Sequence, residues 1–257
     1  MLFLLRPTRL KPEQKAAFSH RNYAHRGLYS PDQTVPENTL LAFSRAIEAG
    51  YGFEFDIQMS KDGDIVVFHD DIVDRMTTEK GRVDSFTTEQ LLAMPLANTE
   101  HRIPLFENVL KLVAGQVPLI IELKPSPNYK ELCQKAVEML KNYQGVYCVE
   151  SFDPRIVRWF KKNEKSIVRG QLANPMKDYK GLPKFATFCL ANSLSNVMCR
   201  PHFIAYKTNK SSPLVRLAEG MGAMTVVWTV RPEHKAKFFE ETCDCVIFEH
   251  YLPDPKF

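Results

Sequence analysis

The chain has 257 residues, of which 44% are apolar and 25% charged, and its formal net charge is +4. A core of that size needs no disulfide staples, the composition is that of an ordinary soluble globular protein, and the basic residues form no stripe, which excludes a nucleic-acid footprint. None of the six cysteines lies at zinc-ligand spacing; without a secretory signal they are expected as reduced packing thiols in the cytoplasm.

Residues 1–5 are apolar and are followed by Arg6, Pro7 and Arg9. Five residues are too few to span a bilayer, which takes about 20, or to form a signal-peptide core of about 7–15. Residues 1–20 are therefore expected as an N-terminal tail, with a weak peripheral membrane contact through Leu2, Phe3 and Leu4 as its one candidate role. From Tyr23 onward short β-type runs alternate with helical ones. The expected strands are 23–26, 53–58, 119–123, 147–151, 168–172, 203–206, 225–230 and 245–248, eight in all. A further run at 65–69 follows the turn Lys61-Asp62-Gly63, a hairpin signal, and reads as an extension of the second strand. Helices are expected at 38–49, ended by Gly50, and at 129–142. Asp153-Pro154 and Ser212-Pro213 open two more, each with Pro in its favoured first-turn slot. Residues 70–105 break the alternation and read as an insertion with a short helix near 88–94. Eight βα units imply a closed parallel barrel, a (β/α)8 TIM barrel occupying 21–257 as one domain.

In such a barrel the active site gathers at the C-terminal strand ends, and ionisable residues do lie there. His25-Arg26-Gly27 ends the first strand and His69-Asp70 ends the hairpin. Glu54 and Asp56 lie two apart on the second strand, so both project to one face; Glu122 and Lys124 do the same on the third. Three carboxylates without a thiolate suit a hard divalent cation such as Mg²⁺ or Ca²⁺. The competing reading is an ion-pair network with Arg26 and Lys124, but it leaves one of three carboxylates unmatched. His25 and His69 are proton-transfer candidates because imidazole titrates near neutrality. Arg26 and Lys124 are suited to phosphoryl oxygens. His20, His101, His202, His234 and His250 lack such company and read as structural or surface residues.

At these residues the chain resembles the glycerophosphodiester phosphodiesterase family, in its bacterial form. The matching elements, in order, are Ala24-His25-Arg26-Gly27, Pro36-Glu37-Asn38-Thr39, Glu54-x-Asp56, Lys61-Asp62-Gly63, Val67-Phe68-His69-Asp70, Ile103-Pro104-Leu105, Glu122-x-Lys124, Ser151-Phe152 and Trp228-Thr229-Val230. The resemblance implies a TIM barrel that hydrolyses deacylated phospholipids to glycerol 3-phosphate and an alcohol. It implies a divalent metal, Mg²⁺, Ca²⁺ or Mn²⁺, on Glu54, Asp56 and Glu122, an acid/base pair at His25 and His69, and phosphate contacts from Arg26 and Lys124. Glu37 and Asn38 match a motif that shapes the site, although Asn38 also reads as a helix cap. Trp228 reads either as a wall for the glycerol carbons or as a packing residue. One departure stands out: Phe248-Glu249-His250 occupies the place of a Thr-Asp pair. Two rival readings are a lysophospholipase D-like or sphingomyelinase D-like phosphodiesterase, which apolar exposed loops near the site would favour, and a barrel that binds without catalysis. The most apolar candidates for such loops, 185–190 and 194–198, read as helical.

Overall fold

The computed structural model describes residues 6–207, 212–234 and 236–257. The expected membrane contact through Leu2, Phe3 and Leu4 lies outside the described residues. The strands are β1 (Arg21–His25), β2 (Gly52–Met59), β3 (Ile65–Val67), β4 (Leu119–Leu123), β5 (Tyr147–Ser151), β6 (Val168–Ala173), β7 (Phe203–Lys207), β8 (Met224–Val230) and β9 (Cys245–Phe248). They form one sheet in the order β1-β9-β8-β7-β6-β5-β4-β2-β3. β1 also pairs with β2, and every pairing is parallel except β2 with β3. Removing the antiparallel β3 leaves eight parallel strands closed on themselves, the expected TIM barrel with a hairpin on its second strand.

Strand alternation separates two apolar layers. Ile120, Cys148, Val168, Met224, Val226, Cys245 and Ile247 fill the barrel, while Phe53, Phe55 and Ile57 of β2 face outward. Phe203 also fills the interior and needs a glycine opposite. A Cβ on Gly170 would lie 2.0 Å from the Phe203 ring. Outside the barrel, Phe43 of α2 (Leu40–Glu48) stacks on Phe53 with centroids 4.6 Å apart. Burying such large side chains is the main favourable term in forming this layer.

The stretch expected as an N-terminal tail carries a helix, α1 (Pro12–Phe18). Its Phe18 is buried at the N-terminal end of the barrel, and its carbonyl accepts from Tyr23 Oη at 3.0 Å. The insertion builds its own small core from Val66, Phe68, Val73, Met76, Val83, Leu91 and Ile103. It holds α3 (Thr88–Ala93) and precedes α4 (Phe106–Val113). The remaining helices are α5 (Tyr129–Leu140), α6 (Pro154–Asn163), α7 (Lys184–Ala191), α8 (Asn196–Cys199), α9 (Pro213–Gly220) and α10 (Ala236–Thr242). All six cysteines are free, and no described helix is long and apolar enough to cross a membrane.

Candidate active site

Register, more than sequence proximity, assembles the site. His25 of β1 is level with Glu54 of β2. Asp56 of β2 is level with Glu122 of β4, which is level with Glu150 of β5. Neighbouring strands lie about 4.8 Å apart, so three carboxylates occupy one row across three strands. β1 then turns sharply. Arg26 and Gly27 take left-handed φ of 54° and 79°, and a Cβ on Gly27 would meet Phe43 at 2.8 Å and the Ala42 backbone at 2.9 Å. That turn presents Arg26 to the pocket. Its backbone N–H donates to Glu54 Oε2 at 3.2 Å, and its Nη1 donates to Glu37 Oε1 at 2.6 Å.

Asn38 is not the helix cap that one reading expected. Thr39 caps α2, its hydroxyl accepting from the Ala42 N–H. Asn38, at φ 57°, instead donates Nδ2 to Asp56 Oδ2 at 2.8 Å. The helix accordingly begins at Leu40 rather than 38. Asp56 also lies 3.2 Å from Lys124 Nζ and 3.6 Å from Arg26 Nε. Burial pushes its carboxyl up, but the influence of neighbouring Lys124, His69 and Arg26 outweighs burial and holds it well below the usual carboxylate range.

Glu54 and Glu122 behave oppositely. Burial, then repulsion from Asp56, Glu122 and Glu150, raises Glu54 well above its ordinary value. Burial also raises Glu122, although Lys124 Nζ sits 2.9 Å away. The ion-pair partner of Glu54 among the described residues is His25 Nε2, at a distant 3.9 Å. One oxygen each from Glu54, Asp56 and Glu122 lies within 4.8 Å of the others. Buried hard oxygen donors that repel one another when ionised fit a divalent cation; Lys124 pairs with Asp56 and Glu122, and Arg26 only partly offsets burial and repulsion at Glu54.

Both histidines pair with carboxylates. His25 Nδ1 is 2.5 Å from Glu249 Oε2, and His69 Nδ1 is 2.5 Å from Asp70 Oδ1. The His69 segment is held by Gln58, whose Nε2 donates to the carbonyls of Phe68 at 2.8 Å and Asp70 at 2.9 Å. Arg75 then ties Asp70 to Glu37, with nitrogens 2.6 Å from each. Burial lowers the His25 pKa, Arg26 adds to that, and Glu249 opposes it.

A cavity of about 200 Å³ brings His25, Arg26, Glu54, His69, Glu122 and Trp228 together with Glu150, Phe152, Leu172 and Asn174. Lys124 and Asp56 lie outside the lining but pair with it, Lys124 with Glu122 and Asp56 with Arg26, while Glu37 bonds Arg26 and Asn38 bonds Asp56. A larger surface cleft of about 430 Å³ beside α1 has no comparable cluster of ionisable groups. Trp228 faces Phe152 edge-on at 5.6 Å, and its Nε1 donates to the Ala205 carbonyl at 3.0 Å. Sequence reasoning missed Glu150, Arg75, Tyr29 and Arg231, and took Glu249 only as a departure. For Glu150 a signal existed, a carboxylate inside an apolar strand. It is 2% exposed, its Oε2 has no hydrogen-bond partner among the described residues, and burial and Glu122 raise its pKa well above the ordinary value.

A glycerophosphodiester phosphodiesterase of Caldanaerobacter subterraneus is 36% identical over 151 residues, covering 54% of this chain and 60% of that protein. Glycerophosphodiester phosphodiesterase 1 of Bos taurus is 27% identical over 90% of this chain and 76% of its own. The chain thus spans less than two thirds of the bacterial relative. Among solved structures, a phosphodiesterase of Oleispira antarctica in complex with sn-glycerol-3-phosphate superposes with a TM-score of 0.74 at 22% identity, covering 91% of this chain and 94% of that one. The glycerophosphodiester phosphodiesterase of Thermotoga maritima gives 0.64 at 23% identity, over 88% and 93%. With the model of the glycerophosphoryl diester phosphodiesterase family matching residues 25–252, from the first histidine of the site to beyond the last strand, this chain belongs to that family.

Proposed function

We propose that the chain hydrolyses glycerophosphodiesters to glycerol 3-phosphate and an alcohol. The observation that carries this reading is a pocket lined by Glu54, Glu122, His25 and His69, with Asp56 converging on the two glutamates and each histidine paired with a carboxylate. Glu54, Asp56 and Glu122 would hold Mg²⁺, Ca²⁺ or Mn²⁺, which supplies Lewis-acid polarisation of a phosphoryl oxygen. Arg26 adds a fork of donors and Lys124 a point charge, both fixed in place by carboxylates before substrate arrives. Charge building up in the transition state thus meets preorganised donors. One imidazole removes the proton from the attacking oxygen, and the other returns a proton to the departing alkoxide as the phosphorus–oxygen bond breaks. The attacking oxygen belongs to water or to the glycerol 2-hydroxyl, the latter giving a cyclic phosphate that water then opens.

A second reading has one observation in its favour. The segment at 185–190 is helical as expected, and α8 covers 196–198 of the second run, with 194 and 195 in the turn before it; Phe185 is 79% exposed and Phe188 44%, in the connection that follows the cavity residue Asn174. Such surface favours a diester that keeps one acyl chain, as in the lysophospholipase D-like or sphingomyelinase D-like reaction. A product assay separates the two readings. Glycerol 3-phosphate should appear from glycerophosphocholine with added metal and vanish with EDTA, whereas faster turnover of lysophosphatidylcholine would support the second. His25→Ala and His69→Ala should each lower turnover by about 10²–10⁴, the usual worth of a positioned acid or base. Wild-type rates in both variants would remove the two-histidine mechanism, and no turnover of any diester with Mg²⁺, Ca²⁺ or Mn²⁺ would leave a binding barrel.

A further inference from the structure

The chain leaves β6 at Ala173, and the next residue, Asn174, lines the cavity. A 3-10 turn at Met176–Asp178 and helix α7 then form a rim beside the mouth. The rim is apolar where it should be wet. Met176 is 46% exposed, Leu182 47%, Phe185 79% and Phe188 44%. Phe185 and Phe188 are three apart in α7 and so share a face. Solitary exposed apolar residues are ordinary, but a cluster of large ones marks a contact surface.

Charge identifies the contact. Lys177, Lys180 and Lys184 are all exposed and interleave with the apolar residues. The one acidic residue from 174 to 198, Asp178, is neutralised by Lys207 Nζ at 2.8 Å. We propose that residues 176–188 form a docking surface for an anionic phospholipid bilayer, with the phenylalanines entering the headgroup boundary and the lysines meeting lipid phosphates. Amphipathic segments of this composition bind by buried apolar area together with attraction to anionic lipid. Docking there sets the cavity mouth at the lipid surface without using any residue of the pocket.

Sedimentation of the full chain with phosphatidylcholine vesicles, with and without phosphatidylserine, tests this. The wild type should pellet with the phosphatidylserine vesicles and be released by salt. The double variant L182S/F185S should stay in solution. The triple variant K177E/K180E/K184E, which changes only exposed charges, should lose at least about fivefold in partition per lysine, the worth of one basic residue at an anionic surface. Both variants should turn over a dissolved glycerophosphodiester at the wild-type rate. Wild-type protein remaining in solution at low salt would overturn the proposal, as would wild-type partition of both variants. So would light scattering in which F185S turns a dimer into a monomer, since the face would then belong to a second copy.

Discussion

His25 and Glu249 stand side by side at the ends of the first and last barrel strands, Nδ1 of one 2.5 Å from Oε2 of the other. Tyr29 Oη donates to the same Oε2 at 2.7 Å, and Arg231 Nε donates to Oε1. Burial pushes the Glu249 carboxyl up, but hydrogen bonds and charge from His25, together with the Tyr29 and Arg231 bonds, hold it well below the usual carboxylate range. An ionised carboxylate can only accept, so it fixes the proton on Nδ1 and leaves Nε2 facing the pocket. Glu249→Gln, whose amide can also donate, should lower kcat by roughly tenfold to a thousandfold with little change in KM, within what a positioned acid or base supplies. Glu249→Asp should recover part of the loss. An unchanged kcat alongside a lower Tm would confine Glu249 to stability.

Glu150 gives a prediction about pH. Its folded-state pKa lies well above the ordinary 4.5, through burial and then Glu122 and Asp56. A carboxyl raised in this way contributes its stability fully below the unfolded value and loses it as pH rises through the folded value. In metal-free protein, Glu150→Gln should therefore gain on the wild type progressively as pH rises from about 4.5. Denaturant midpoints measured in EDTA across that range provide the check. A gap that stays constant with pH would mean that the carboxyl is solvated or paired in solution.

The barrel was legible because most of its strands are short runs rich in Val, Ile, Phe or Tyr separated by helical patterns, and because Glu54 and Asp56 keep the period of two that marks one strand face. The helix start was misplaced because Pro36-Glu37-Asn38-Thr39 offers two residues able to cap, and only the left-handed backbone of Asn38 sends its amide to Asp56 instead. Arg75 was illegible for another reason. It lies 38 residues from Glu37 in the chain, and nothing local records that their side chains meet. The row Asp56–Glu122–Glu150 depends on register between strands, which the sequence of one strand does not contain.

The raised carboxyls of Glu54 and Glu122 make metal binding measurable without turnover. Burial and mutual repulsion oppose their ionisation, so a cation that binds the folded form alone should raise Tm with concentration. Glu54→Gln removes one ionisable carboxyl from the cluster. It should raise Tm in EDTA and flatten the response to Mg²⁺, Ca²⁺ and Mn²⁺. An equal metal response in wild type and variant would place the ion elsewhere.

The two readings of Trp228 that the sequence offers, glycerol wall and packing residue, make different kinetic predictions. Its indole lines the cavity against Phe152, and its Nε1 bond to the Ala205 carbonyl anchors β8 to β7. The flat face and the anchor can be removed separately. Trp228→Phe keeps an aromatic face and loses the donor, so it should lower Tm while leaving KM for glycerophosphodiesters close to wild type. Trp228→Leu loses both, so it should lower Tm and raise KM as well. The KM increase should be specific. An aryl phosphodiester without glycerol places no glycerol carbons against the indole, and its KM should move much less. If Trp228→Leu raised both constants alike, the indole would be serving the shape of the whole pocket rather than the glycerol. If neither moved while Tm fell, the anchor to Ala205 would be its entire contribution, and glycerol recognition would have to come from the polar side of the cavity, where Glu150 and Asn174 face the same space.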